Sequence, residues 1–182
     1  MGKSSKKQIK INFTKYVSIT IGFLLVIFLF FAIFSTPSFE SDNHVLNHTV
    51  IHAEDLFFTY EVDKYPTAVE ISNITERNLS IGFSLETSSL NFGVVPTGGN
   101  MGKRFLTLKN TEENNAKIQF VAYGDISQMI QFSDNDFNLV SDELKQVDIV
   151  LETELDTQVG NYSGEIDLVI KRAKYGFLEW FI

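Results

Sequence analysis

Between residues 106 and 171, apolar and polar side chains repeatedly change places at every step. Leu106 and Leu108 are flanked by Thr107 and Lys109. Ile118, Phe120 and Ala122 stand against Lys117 and Gln119. Val147, Ile149 and Leu151 alternate with Gln146, Asp148 and Glu152, and Ile166, Leu168 and Ile170 alternate with Glu165, Asp167 and Lys171. A period of two belongs to a strand, whose successive side chains leave opposite faces. The pattern predicts strands with one face in a core and one in water, and it assigns Lys109, Gln146 and Asp167 to the water side. Turn-forming residues separate the runs at Pro96-Thr97-Gly98-Gly99, Asn114-Asn115, Gly124-Asp125, Ser141-Asp142 and Gly160-Asn161. Short strands at this spacing, with no amphipathic helix between them, indicate an all-β antiparallel sandwich. Earlier strands are expected near Leu56 to Val62, Ala68 to Ile71 and Leu79 to Leu85, in the same sandwich or in a small separate layer.

The second constraint is the uncharged run Val17 to Phe34, VSITIGFLLVIFLFFAIF. As a helix rising ~1.5 Å per residue it reaches roughly 27 Å, near the hydrocarbon thickness of a bilayer. Lys3, Lys6, Lys7, Lys10 and Lys15 precede it, while Glu40, Asp42, Glu54 and Asp55 follow. This predicts a single N-terminal transmembrane helix in contact with lipid, with the N-terminus cytoplasmic and the C-terminal domain extracytoplasmic. A cleaved signal peptide also begins with a basic stretch and an apolar run. This run is longer than a usual signal core, and bulky Ile33 and Phe34 stand where small residues would guide cleavage, although Ser35 leaves a site. Gly2 does not make a lipid anchor, because Lys6 occupies the position that needs Ser or Thr.

Five of the 15 basic residues lie ahead of that run, so the remaining 10 face 23 acids, a balance of −13. Such a domain lacks the basic face that displaces counterions from phosphates, and no nucleic-acid partner is expected. There is no cysteine, which removes disulfides and thiolate chemistry. No G-x-S-x-G occurs, Gly98 to Lys103 lacks phosphate-loop spacing, and Ser4-x-x-Lys7 lacks its partner motifs. No enzyme activity and no cofactor is expected. The three histidines, His44, His48 and His52, are spaced by four, which suits zinc, nickel or a pH response. They lie in what reads as a solvated stalk, and the stalk reading is adopted. Asp134-Asn135-Asp136 with Asp142-Glu143 suggests calcium, but a calcium loop needs glycine where Leu139 stands, so these residues read as turn caps. No metal site is expected.

Four segments carry a resemblance. Leu90-Asn91-Phe92-Gly93-Val94-Val95-Pro96-Thr97-Gly98 resembles the L-x-F-G-x-V-x-x-G opening of ASH-type immunoglobulin-like domains, a group similar to major-sperm-protein and NPCBM-associated domains. Leu106-Thr107-Leu108-Lys109-Asn110 resembles their L-T-L-x-N strand. Phe137-Asn138-Leu139 with Lys145-Gln146-Val147-Asp148-Ile149 resembles their strand pair around a polar turn. Gly160-Asn161-Tyr162-Ser163-Gly164-Glu165-Ile166 resembles the closing G-x-Y-x-G-x-I, with Val159 where a proline often stands. The resemblance covers about residues 88 to 171. It implies an immunoglobulin-like antiparallel β-sandwich of archaeal or bacterial membrane-anchored surface proteins, and it supplies no catalytic residues. Gly93 and Gly164 suit bulges or close strand approach, Gly98-Gly99 a turn with positive φ, and Tyr162 a buried ring with a hydrogen-bonded hydroxyl.

The expected organisation is a basic cytoplasmic tail over 1–16, a transmembrane helix over 17–34 and a stalk over 35–54. Additional strands of unassigned membership follow over 55–87, then the sandwich over 88–171 and a basic-aromatic tail over 172–182. Asparagine sequons at Asn47, Asn73, Asn78 and Asn161 are candidate glycosylation sites on the outer side, whereas Asn12 lies inside. In the tail, Tyr175, Phe177, Trp180 and Phe181 are candidates for contact with a membrane interface or a partner; the rival reading folds the tail over a sheet edge. The functional expectation is a structural or protein-interaction module of the cell envelope. The alternative is an accessory binding subunit of a larger membrane complex, associated with a stator or a transporter.

Overall fold

The computed structural model describes residues 13–35, 37–73 and 88–182. The chain divides into two compact units, Met1–Pro37 and Ser38–Ile182. The first contains helix α1 (Phe13–Phe34). Its hydroxyls turn back on the helix: Thr20 Oγ1 donates to the Tyr16 carbonyl at 2.9 Å, and Ser35 Oγ donates to the Phe31 carbonyl. Among the described residues, no helix is long and apolar enough to cross a membrane.

The second unit is built from strands β1 (Thr49–Glu54), β2 (Phe58–Ser72), β3 (Gly93–Pro96), β4 (Met101–Lys109), β5 (Ala116–Gly124), β6 (Ile130–Phe132), β7 (Phe137–Leu139), β8 (Leu144–Glu152) and β9 (Gly160–Ala173). The larger sheet runs β1-β2-β9-β5-β7, with β3 parallel to the end of β2; the smaller runs β4-β8-β6. Every other pairing described is antiparallel. The sheets share a core in which Ile118, Phe120, Ile166 and Leu168 of the larger meet Val147 and Ile149 of the smaller, joined by Leu90. A second cluster contains Val69, Ile71, Val95, Ile126 and Leu151. The chain is therefore mostly β, arranged as an antiparallel sandwich.

Two glycines are needed where they stand. A Cβ on Gly164 would lie 2.0 Å from the Tyr123 carbonyl oxygen, so β5 and β9 meet more closely than any other residue permits. Gly98 takes φ +94° in the turn before β4, which Thr153 fastens by donating to Pro96 O and accepting from Asn100 N. The Asn110 side chain donates to the Asn114 and Leu139 carbonyls and closes the turn after β4. Asn135 brackets Phe120, accepting from its N–H at 2.7 Å and donating to its carbonyl at 2.9 Å, just where β7 no longer pairs with β5.

The structure differs from the expected organisation at both ends of the sandwich. The compact unit starts at Ser38, and Thr49–Glu54 form a strand rather than the last part of a stalk. Residue-by-residue pairing with β2, from Thr49 opposite Lys64 to Glu54 opposite Thr59, makes the hairpin. Asp55 closes it by accepting from Phe57 N, Phe58 N and Tyr60 Oη. β2 lies between β1 and β9, so this part of the additional-strand segment belongs to the larger sheet. The strand expected near Leu79 to Leu85 falls outside the described residues. At the other end β9 continues to Ala173.

The water-facing assignment fails on β9. Residues opposed in antiparallel strands share a face. Tyr60 opposes Lys171, Val62 opposes Val169 and Lys64 opposes Asp167, all on the side turned away from Ile166 and Leu168. This outer face is buried: Phe58, Tyr60, Val62, Lys64, Glu165, Asp167, Val169 and Lys171 are all enclosed. Residues 38–48 lie across part of it, with the Phe39 ring 5.6 Å from that of Tyr60. The final 3-10 turn, Gly176–Phe181, adds buried Leu178.

Candidate functional site

Under that cover the sheet holds a lysine and two carboxylates. Lys64 from β2 is 2% exposed, and Glu165 and Asp167 from β9 are 0% exposed. Lys64 Nζ donates to Asp167 Oδ2 at 2.8 Å, to Glu165, and to the Phe39 carbonyl at 3.0 Å. Glu165 Oε2 accepts from the Val45 N–H at 2.7 Å. The cluster thus grips the segment leading into the sandwich at two backbone groups, Phe39 O and Val45 N.

Burial disfavours the charged form of each group, and the hydrogen bonds decide which of them escapes that effect. Burial alone would raise the Glu165 carboxyl, but donors from Lys64 and Val45 outweigh it and hold it below its ordinary value. Burial alone would lower the Lys64 ammonium, and its bonds to Asp167 and Glu165 raise it instead. Burial pushes Asp167 up to about 7 against the pull of Lys64, and its contact with Glu165 adds to the rise. As a carboxylate, Asp167 leaves Oδ1 buried without a donor. Protonation of the pair would relieve this, and the direction of the shifts favours Asp167 over Glu165 as the carboxyl that takes the proton.

The sequence-based candidates are dispersed over the second unit. Asn47 and Asn161 are exposed, Asn73 is exposed just after β2, and Asn78 lies outside the described residues. His48 stacks on Tyr65 with ring centroids 4.5 Å apart, His52 lies on β1, and His44 approaches Gly124. Among the described residues no group of three His, Cys, Asp or Glu is placed to hold a metal. Asp134 pairs with Lys145, Asp136 with Lys117 at 3.2 Å, and Asp136 and Asp142 take φ of 58° and 59°, as turn residues do. The Tyr162 ring packs against the second cluster, and its hydroxyl donates to the Gln158 carbonyl at 2.9 Å.

The tail both docks and displays. Leu178 is buried, Lys174 N–H donates to Phe57 O, and Asn138 Nδ2 donates to the Ile182 carbonyl. Tyr175 and Phe177 stack 5.8 Å apart and stay exposed, as do Phe181 and Trp180, the last at 93%.

Sequence reasoning missed Lys64, Glu165 and Asp167. One signal was present: Leu168-Val169-Ile170 is apolar three times in succession, so Val169 places an apolar side chain in the set otherwise read as facing water. Phe58, Tyr60 and Val62 precede Lys64 on the matching face of β2 in the same way. Comparison of the chain with family models, curated proteins and solved structures gives no match.

Proposed function

We propose that the chain is a membrane-anchored protein whose immunoglobulin-like sandwich stands outside the cytoplasm as a structural or protein-interaction module of the cell envelope. The observation that carries this reading is the uncharged apolar run Val17 to Phe34 within helix α1, preceded by five lysines, with the Thr20 and Ser35 hydroxyls satisfied by backbone carbonyls of the helix. Lipid offers no hydrogen-bond partner, so hydroxyls that turn inward suit it. Phe28 and Phe31 are among many large apolar residues of the helix that remain exposed, and such surface calls for an apolar surround.

Two surfaces suit a partner. β1 forms an edge of the larger sheet, with Val50 and Ile51 exposed, and an edge strand can accept a strand from another chain. The aromatic group at Tyr175, Phe177, Trp180 and Phe181 suits a headgroup boundary or a protein surface. Protease applied to wall-stripped cells is expected to remove residues beyond about 40 and leave a small membrane fragment. A fully protected sandwich, or a soluble mature chain starting near Thr36, overturns the reading. Trp180, the only tryptophan, reports on the tail. Its emission should be red in solution and shift blue with anionic vesicles; an unchanged red emission leaves a protein partner as the occupant.

A further inference from the structure

We propose that Lys64 and Asp167 condense into an intramolecular amide bond that ties β2 covalently to β9, with Glu165 as the proton carrier. This inference stands on the geometry of the cluster and does not rest on the membrane reading. Lys64 and Asp167 are directly opposed across the antiparallel pair, with the amine 2.8 Å from Asp167 Oδ2, so closure needs no change of register. The Glu165 carboxylate touches the same amine, where a general base must lie to remove its proton. All three side chains are enclosed, which excludes the water that would compete for the carboxyl. Reactants fixed in contact gain the advantage of an intramolecular reaction, and the product replaces a buried ion pair by a neutral amide.

The raised Asp167 carboxyl favours the step, whereas the raised Lys64 ammonium and the lowered Glu165 carboxyl make the first proton transfer its barrier. Burial raises the Asp167 carboxyl to about 7, and in its neutral form it is the electrophile, since a neutral carboxyl accepts an amine where a carboxylate repels one. Glu165, held ionised, takes a proton from the Lys64 ammonium. The free amine attacks Asp167 Cγ and forms the C–N bond. Glu165 returns its proton to the departing hydroxyl, the C–O bond breaks and one water leaves. The new amide nitrogen then gives its surplus proton to Glu165. Atoms and charge balance, and no oxidant or other reactant is required. The bond encloses residues 64 to 167 in one covalent ring, so force applied at either end of the sandwich could not separate β2 from β9 at this point.

Intact mass spectrometry of the purified full chain tests the proposal. The chain should be lighter than its sequence by one water, and Lys64→Arg and Glu165→Gln should each restore the full mass. In a tryptic digest, Lys64 should resist cleavage, and fragment 16–77 should run joined to fragment 146–171. A wild-type chain at full mass with Lys64 open to trypsin overturns the proposal, and this result needs no variant to fold. So does a water loss confined to a single fragment, which would mark an aspartyl succinimide. A Glu165→Gln chain that still loses water overturns the role given to Glu165.

Discussion

Strands β8 and β9 have nearly the same alternation and lie in facing sheets, yet their charged sides meet different surroundings. On β8, Asp148 looks outward from the smaller sheet and pairs with Lys103, itself more than half exposed, at 2.6 Å. On β9, Asp167 also looks away from the shared core, but it is enclosed with Lys64 and Glu165 beneath another layer of chain. The two aspartates therefore differ in what their charge costs. Water screens the first pair, whereas the second must recover its desolvation from good partners. Alternation reports which residues share a face; it does not report what lies over that face.

The largest test of the comparison concerns the core that both strands share. Ile149→Asp on β8 and Leu168→Asp on β9 each bury an unpaired charge and should unfold the sandwich, removing most of a stability of ~5–15 kcal/mol. Loss of the cooperative transition in circular dichroism is the readout. A folded variant of either would break the assignment of that strand's inner face.

Next in size is the contrast between the two outer lysines. Relative to a chain in which Lys64 and Asp167 are not joined, Lys64→Met leaves Glu165 and Asp167 enclosed without their cation and should lower stability by ~3–5 kcal/mol, as removal of one partner from a buried pair does. Lys103→Met should change it by less than about 1 kcal/mol, the range of exposed ion pairs. Urea midpoints for the two variants give the comparison directly. Equal effects would mean that the cover over β9 opens freely to water.

The smallest effect is in pH. Burial would raise Asp55, but the Phe57 and Phe58 N–H groups and the Tyr60 hydroxyl outweigh it and hold its carboxyl below the ordinary value. Its contribution is therefore full above the unfolded carboxylate range and is lost as pH falls through the folded value. Asp167 has the opposite sign. In a chain without the Lys64–Asp167 bond, its stability term is present below the unfolded value and is lost as pH rises through about 7. Asp55→Asn should flatten the acid side of the urea-midpoint profile, by a small amount because Asp55 is exposed. Asp167→Asn should flatten the neutral side. If both variants leave the profile unchanged, the two carboxyls do not differ as the structure places them.

Much of the sandwich was legible because its evidence is local. Ile118, Phe120, Val147, Ile149, Ile166 and Leu168 are core residues on strands, as their spacing predicts, and Gly98 and Gly99 sit in a turn with positive φ. The start of the unit was less legible. Residues 38–48 have no alternation to mark them, and they are ordered through contacts with Lys64 and Glu165, the latter 120 residues beyond Val45. The tail was read as either docked or exposed, and it has a part of each, since Leu178 is buried while its aromatic neighbours Phe177, Trp180 and Phe181 are not.

What the sequence determined by itself was the class of structure: strand periodicity, turn positions, and the division between an apolar helix and a β-rich unit. These depend on neighbours along the chain, which any segment carries with it. What only the tertiary structure decided was the fate of the outer face of the larger sheet. Whether Lys64, Glu165 and Asp167 meet water or one another depends on a distant segment folding back over them. That enclosure gathers Lys64 with Glu165 and Asp167, two acids that read as a solvated surface, into a buried cluster, because a charge deprived of water must find its partner in the protein.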